Sequence, residues 1–136
     1  AAKIVYAPKA PLVALGLDVA THFDVNFSAD DLRSFEQSDL AEARFLAKAI
    51  RFVNARGFEA YCTIIDCMAV GYAIDPTLVK TMQGRVGIET ESPLTLGMTV
   101  LDGRHHHVWE HLPLVEIGYE ADHGRFLALL KGLVLA

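Results

Sequence analysis

Asp66 is the residue whose position most strongly suggests chemistry, because it is the only charged residue between Ile64 and Ile74. A carboxylate in an apolar stretch is costly to bury unless it is paired, hydrogen-bonded or bound to a metal. Asp66 lies three residues after Thr63, where an acid can complete a helix cap, and the alternative is that it faces a site. Calcium binds six to eight oxygens, and no second acidic residue accompanies Asp66 in its segment. Spacing alone therefore indicates a metal site within this chain only weakly.

A second candidate site consists of Asp18, Thr21 and His22, which follow the apolar run 12–17. Ligands of open α/β sheets bind beyond the carboxyl ends of the strands, so these side chains could contact a ligand. The alternative, which the residue types favour, is that Asp18 caps a turn and His22 lies on a surface loop.

Three further groups of residues have simpler explanations than a site. His105, His106 and His107 are adjacent, whereas metal sites use spacings such as HxxxH on a helix. The segment 89–93 (Glu-Thr-Glu-Ser-Pro) is predicted to be a solvated turn, although the strand end beside it allows a ligand contact. Cys62 and Cys67 are five positions apart without a CxxC motif, and we expect them to be small core residues with free thiols.

Charge and length exclude several classes of partner. The chain has 136 residues, with 12 Lys and Arg against 17 Asp and Glu, and its formal charge is −5. Because affinity for nucleic acid depends on neutralising phosphates, we expect no nucleic-acid partner. The apolar runs are shorter than the ~20 residues of a membrane-spanning helix, so we expect no membrane partner, and we see no signal peptide. The expectation is a single domain over 1–136 in the cytoplasm.

The first half of the chain predicts one strand and two helices. The continuous apolar run 12–17 predicts a strand that is buried on both faces. Ser28 and Asp31 have the spacing of a capping box and start a short helix. A longer helix starts at 39–42 and stops near Gly57. Its expected buried residues are Leu46, Ala49, Ile50 and Val53, and its expected solvent-facing residues are Arg44, Lys48 and Arg51.

The second half predicts three strands between two helices. The run 64–74 predicts a helix buried nearly all round, which Asp75 and Pro76 end. Strands are expected at 85–90, 98–101 and 112–119, with mixed directions and with Pro113 near an edge. Asp122 is expected to cap a last helix with a buried stripe of Phe126, Leu129, Leu130 and Leu133. This alternation predicts a layered α/β fold.

Several segments together resemble nucleoside hydrolases, the nucleoside N-ribohydrolases. The stretch 64–70 (IIDCMAV), followed by Ile-Asp-Pro at 74–76, is similar to the late helix of that family. Residues 86–102 resemble its "VET…LTRG-T-V-D" segment, and residues 11–19 resemble its "GLDVTH" strand. The "DVTH" motif is interrupted here, because Ala20 is an extra residue. The final helix matches as well, so the resemblance covers nearly the whole chain.

The resemblance implies a layered, Rossmann-like sheet with flanking helices, of which this chain is the carboxyl-terminal portion. Members of the family are about twice as long, and their amino-terminal half carries a DxDxxxDD cluster that holds calcium. The opening residues 1–6 contain neither Met nor a capping residue, so we expect the chain to begin inside a helix, as a truncated chain would.

The family's site residues transfer to this sequence only in part. Asp66 matches a calcium ligand of the family. Ile65 stands where many relatives place a His that protonates the departing base and where others place a Trp, and an aliphatic side chain cannot transfer a proton. No catalytic or substrate-binding residue is therefore assigned in this chain.

The activity that the resemblance implies is hydrolysis of the N-glycosidic bond of ribonucleosides, which yields ribose and free base. It further implies a calcium cofactor, a role in purine or pyrimidine salvage, and a homo-oligomer. The alternative is a non-catalytic fragment or a pseudoenzyme binding module that lacks a complete calcium site. Ile65 and the missing aspartate cluster favour this alternative for the chain as written.

Overall fold

A computed structural model describes residues 1–7, 10–21, 26–59 and 64–136 of the chain. The chain forms two compact units. The first comprises Ala1–Gly16 and Thr81–Tyr119, and the second comprises Leu17–Lys80 and Glu120–Ala136. The assignment of 1–136 to a single domain or fragment stays a prediction.

A four-stranded sheet has the order β1-β4-β2-β3. Its strands are β1 (Val13–Ala14), β2 (Val79–Ile88), β3 (Thr99–Asp102) and β4 (Leu114–Ala121). β1 runs parallel to β4, with Val13 opposite Glu116. β2 and β3 are antiparallel, with Arg85 opposite Asp102. The predicted mixture of strand directions is therefore confirmed.

The prediction for the first strand is wrong in length and in burial. β1 contains two residues of the run 12–17, and Leu17 already belongs to a helix. β1 has β4 as its one neighbour within the described sheet, and Val13 is exposed rather than covered on both faces. An apolar run indicates that its residues tend to be buried, but the elements that pack on the two faces of the sheet decide how much of each side chain is covered.

The prediction that Pro113 marks an edge strand is also wrong. β4 lies between β1 and β2, in the interior of the sheet. Pro113 is tolerated because it immediately precedes the strand, where its missing N–H is not needed. Its carbonyl oxygen accepts a hydrogen bond from the Val86 N–H at 3.1 Å.

β2 begins six residues before the predicted strand, at Val79. Gly84 lies inside it, and glycine normally weakens a strand. Here a Cβ at Gly84 would collide with the side chain of Leu101 on the paired strand β3. The Leu101 side chain therefore occupies the space that a side chain at position 84 would fill, and it would have to shift for any larger residue.

Six helices accompany the sheet in the described part of the chain. They are α1 (Ala2–Tyr6), α2 (Leu17–Ala20), α3 (Ala29–Gln37), α4 (Ala41–Asn54), α5 (Cys67–Ile74) and α6 (His123–Val134). None of these helices is both long and apolar enough to cross a membrane. The capping box before α3 is confirmed, because Ser28 Oγ accepts from the Asp31 N–H and Asp31 accepts from the Ser28 N–H.

α4 follows its predicted amphipathic pattern. Of the predicted residues Ile50 is fully buried, whereas Leu46, Ala49 and Val53 are half-buried. The structure adds Ala43 and Ala47 to the buried face. Arg44, Lys48 and Arg51 are exposed, as expected. The helix ends at Asn54, and Gly57 adopts φ +79° in the turn after it, which is a conformation that favours glycine.

α5 is shorter and less buried than predicted. It starts at Cys67 after a turn at 64–66, and its buried residues are Met68 and Gly71. Val70 and Ile74 are exposed, so the prediction of a helix buried nearly all round is wrong for this chain. Apolar residues on every face show what a helix can bury, and the described chain covers only one face of α5.

α6 begins as predicted, because Asp122 Oδ1 accepts from the Arg125 N–H at 3.0 Å. Phe126 is buried and packs against Gly71 of α5. Leu129 and Leu130 are half-buried, and Leu127 is buried instead of Leu133, which is exposed. The predicted stripe is therefore correct near the start of the helix and wrong near its end.

Candidate functional site

Asp66 occupies the N-cap position of α5, and its side chain is exposed. Its backbone is helical (φ −71°, ψ −25°), and the carboxylate makes no capping hydrogen bond. The expected apolar surroundings are therefore wrong, because the turn at 64–66 carries the side chain out to the surface. Thr63, the other half of the proposed cap, lies outside the described residues.

The two neighbours of Asp66 are apolar or weakly polar. Ile65 is half-buried and offers no group that exchanges a proton. Cys67 is a half-buried free thiol, and its pKa is raised by burial and, to a smaller extent, by the negative charge of Asp66. Cys62 lies outside the described residues. The start of α5 thus presents one carboxylate as its chemically active group.

Within the described ranges, no three His, Cys, Asp or Glu side chains come together in a way that could hold a metal ion. Asp66 fits calcium as a single anionic oxygen ligand, because no capping hydrogen bond occupies its carboxylate. Calcium requires several more oxygens than one carboxylate offers. Among the described residues, Asp66 is therefore a candidate for one calcium ligand, and no group of three acidic, His or Cys side chains surrounds it.

The second candidate, around Asp18, is not organised as predicted. Asp18 is an exposed residue in the first turn of the short helix α2, where the sequence predicted a turn. Thr21 uses its hydroxyl locally, in a hydrogen bond to the Leu17 carbonyl. His22 lies outside the described residues. The buried part of this segment is Val19, whose carbonyl oxygen lies 2.8 Å from His123 Nε2 at the start of α6.

The histidine loop is organised by a carboxylate that sequence reasoning did not single out. Asp102 is buried and accepts hydrogen bonds from the N–H groups of His106 at 2.7 Å and Arg104 at 3.1 Å. These bonds, the first above all, hold the pKa of Asp102 below its usual range. The signal was the Asp-Gly pair that closes the strand, which is typical of a turn. Asp102 is thus a structural residue of this loop.

The histidines themselves do not assemble a described metal site. His105 has φ +56°, and the rings of His106 and His107 stack with their centres 4.5 Å apart. His106 Nδ1 accepts a hydrogen bond from the Val108 N–H at 3.3 Å, so this ring is engaged locally. The expectation of no native metal at these histidines stays a prediction.

Glu89 closes the turn that follows β2. Its Oε1 accepts from the N–H groups of Glu91 at 2.6 Å and Ser92 at 3.1 Å. These backbone donors hold the pKa of Glu89 below its usual range. The geometry is that of the predicted solvated turn.

The other unpredicted feature lies at the far end of α5. Asp75 ends the helix, and its Oδ1 accepts from the Thr77 N–H at 3.0 Å and from the Thr77 hydroxyl at 2.6 Å. Arg125 of α6 donates from Nη2 to the other carboxylate oxygen at 2.7 Å. Asp75 and Arg125 therefore hold the end of the helix whose first turn follows Asp66.

The combination of a sheet and helices places the chain in the α/β class. Over residues 1–128 it matches the family model described as inosine-uridine preferring nucleoside hydrolase, and the chain belongs to this family. The resemblance to nucleoside hydrolases and the predicted fold class are thereby confirmed.

Two curated relatives illustrate the match. The pyrimidine-specific ribonucleoside hydrolase RihA of Klebsiella pneumoniae is 29% identical over 136 residues, which cover 96% of this chain and 42% of that protein. The inosine-uridine preferring nucleoside hydrolase of Leishmania major is 34% identical over 108 residues, which cover 77% of this chain and 34% of that protein. The chain therefore spans less than half the length of these relatives.

Two solved structures share the fold. A plant nucleoside hydrolase superposes with a TM-score of 0.78 at 21% identity, over 99% of this chain and 44% of the other. The purine-preferring ribonucleoside hydrolase of Gardnerella vaginalis gives 0.72 at 24% identity, over 98% and 42% respectively. The chain thus shares its fold with part of each of these two nucleoside hydrolases.

Proposed function

We propose that this chain is part of a nucleoside hydrolase that cleaves the N-glycosidic bond of ribonucleosides to ribose and free base. The observation that carries the proposal is the family match over residues 1–128. The relatives differ in the bases that their names specify, namely pyrimidine nucleosides, inosine and uridine, or purine nucleosides. The proposed substrate class is accordingly ribonucleosides in general.

We propose that Asp66 contributes one carboxylate ligand to calcium in the protein at its full natural length. Two observations support this proposal. The Asp66 carboxylate at the start of α5 is exposed and makes no capping hydrogen bond, and Asp66 matches the late-helix aspartate of the family. Bound calcium would supply a Lewis acid for water and for the ribose hydroxyls. The remaining ligands would come from outside the described residues, since these contain no group of three.

The chain's own residues have two roles in this proposal. Asp75 and Arg125 hold the far end of α5 and so help to fix the helix that presents Asp66. Ile65 leaves the departing base without a proton donor at this position, so base departure depends on another group or on the stability of the leaving base. A general acid accelerates such a reaction by about 10²–10⁴-fold, and this is the rate factor that the other group or the leaving base would have to replace.

The proposal is tested with Asp66→Asn and the matched control Asp30→Asn, both exposed carboxylates at the starts of helices of the second unit. Each full-length variant is assayed for ribose release from inosine and uridine and is titrated with calcium by calorimetry. We expect Asp66→Asn to fold normally while calcium affinity and activity fall steeply, since calcium discriminates on ligand charge. Equal calcium affinities in Asp66→Asn and the wild type would contradict the ligand role.

A second candidate is a non-catalytic binding module derived from the same fold. Ile65 and the absence of a three-ligand group among the described residues favour it. A full-length protein that binds nucleosides, releases no ribose and shows no calcium dependence would support this candidate. The remaining proposals, a homo-oligomer acting in cytoplasmic nucleoside salvage, rest on the family and on a sequence with no disulfide framework.

A further inference from the structure

Helix α4 has one buried face and one face with two exposed aromatic side chains. Phe45 and Phe52 are 73% and 58% exposed, although Ile50 on the buried side is fully covered. The two phenylalanines are seven residues apart, which is close to two helical turns, so they lie on the same face. Aligned exposed aromatic residues are typical of association surfaces.

Charged side chains flank these two aromatic residues. The guanidinium carbon of Arg56 lies 3.5 Å from the ring centre of Phe52, in a cation–π contact at the carboxyl end of the helix. Glu42 precedes Phe45 by one turn, is exposed, and has no ion-pair partner among the described residues. The stripe formed by Glu42, Phe45, Phe52 and Arg56 thus has an acid at one end and a base at the other.

We propose that this α4 stripe is an interface with a second copy of the chain, in which the two α4 helices pack antiparallel about a two-fold axis. An axis at the midpoint of Phe45 and Phe52 places each Phe45 opposite Phe52 of the second copy. Arg56 lies two residues beyond the last residue of α4, so the same register brings Glu42 to the end of the second copy's α4 that carries Arg56. One axis therefore satisfies both the aromatic and the charged pairs.

The pattern favours a second copy because a two-fold interface must be self-complementary, with each residue of a pair present on both sides. Glu42 and Arg56 meet this requirement twice in one dimer. Lys48 lies on the other edge of the stripe, near the axis, so the positive charges of the two Lys48 side chains in the dimer repel each other. The register therefore predicts that Lys48→Gln tightens the dimer.

This inference identifies the surface behind the proposed homo-oligomer and is independent of nucleoside hydrolysis. Asp66→Asn tests the hydrolase proposal and should leave the oligomeric state unchanged. A failure of either proposal can thus be recognised without reference to the other.

The first test compares Phe52→Asp with Phe58→Asp in the protein at its full natural length. Phe58 is a matched control, because it is 61% exposed and lies beyond the helix, outside the stripe. Dimer dissociation constants are measured by sedimentation equilibrium, and circular dichroism checks the fold. We expect Phe52→Asp to raise Kd by more than about 100-fold, since two central aromatic residues are lost per dimer, and Phe58→Asp to leave it unchanged.

The second test exchanges the charges of Glu42 and Arg56. Glu42→Arg and Arg56→Glu should each raise Kd by about tenfold, because each creates two like-charge pairs per dimer. The double variant should recover most of the wild-type affinity, and this recovery is decisive because Arg56 also contacts Phe52 within its own chain.

Three results would overturn the interface. They are a wild type that stays monomeric at high concentration, a folded Phe52→Asp protein that dimerises like the wild type, and a charge-exchanged double variant no tighter than the single variants. A monomeric wild type that loses thermal stability on Phe52→Asp would show that another part of the same protein covers the α4 stripe.

Discussion

Arg125 Nη2 lies 2.7 Å from Asp75 Oδ2, and this ion pair joins the first turn of α6 to the residue that ends α5. Thr77 completes the arrangement, since its hydroxyl oxygen lies 2.9 Å from the same nitrogen of Arg125. Because α5 is only eight residues long, an anchor at its end also restrains its start, where Asp66 lies. The pair is therefore the clearest positioning device for the candidate site.

We expect Asp75→Ala and Arg125→Ala each to lower the melting temperature at neutral pH by a few degrees. Each removes one partner of a shared hydrogen-bonded group, so the double variant should lose less than the sum of the two. Thermal denaturation followed by circular dichroism measures all four proteins. The exposed pair Asp30 and Arg33 provides the control, and its variants should have small effects. Simple additivity of the Asp75 and Arg125 losses would contradict the coupling.

The contribution of Asp75 should depend on pH in a defined direction. The hydroxyl and N–H of Thr77, followed by Arg125, hold the pKa of Asp75 below its ordinary value of 3.8. A carboxyl whose pKa is lower in the folded than in the unfolded state stabilises the folded protein at every pH above its unfolded-state pKa. This stabilisation is lost as the pH falls through the folded-state pKa. The difference in melting temperature between wild type and Asp75→Ala should thus be constant above about pH 5 and shrink below about pH 4. A difference that grows at low pH would refute this sign.

Glycine to alanine substitutions at two helical positions should have opposite effects. Gly132 of α6 has open space around it, so Gly132→Ala should stabilise by up to about 1 kcal/mol through helix propensity. At Gly71 a Cβ would lie 3.0 Å from Phe126 Cδ2, and overpacking costs about 1–3 kcal/mol. Gly71→Ala should therefore destabilise despite the same gain in propensity. Urea unfolding of both variants measures the two signs, and a stabilised Gly71→Ala protein would show that the ring yields freely.

Both cysteines are expected to be free thiols. Thiol titration of the denatured, unreduced protein should find two reactive groups, because Cys67 is a free thiol and the sequence offers no disulfide framework. In the folded protein Cys67 should react slowly at about pH 8, since burial raises its pKa and reduces the thiolate fraction. Finding no titratable thiol after denaturation would disprove the first expectation.

The 136-residue chain alone should hydrolyse no nucleoside at a useful rate. Its described residues provide one candidate calcium ligand and no three-ligand group, and Ile65 replaces a proton donor. Loss of a general acid alone costs about 10²–10⁴-fold, and an incomplete metal site removes further stabilisation. Ribose release from inosine and uridine is the measurement, with and without a chelator. Release that the chelator abolishes would contradict the prediction.

Local features of this protein were readable from the sequence because they depend on neighbours in the chain. The capping box of Ser28 and Asp31, the cap of Asp122 and the turn at Gly57 each involve residues within a few positions of one another. Family membership was readable for a similar reason, since it rests on the order of short segments such as 64–70 and 86–102. Short-range geometry leaves these features little freedom.

The exposure of side chains and the order of strands in the sheet depended on contacts between distant parts of the chain. The same apolar pattern fits a central and an edge strand, so only the sheet order β1-β4-β2-β3 shows that Val13 lies at an edge of the described sheet and that β4 is interior. An all-apolar helix likewise does not state which faces its neighbours cover, and α5 exposes Val70 and Ile74. Asp66 was identified from the sequence as the residue of interest, yet its exposed, uncapped carboxylate was decided by where the turn at 64–66 ends and α5 begins. The anchor Asp75–Arg125 required the fold as well, because its two residues are 50 positions apart and the packing of α5 and α6 brings them together.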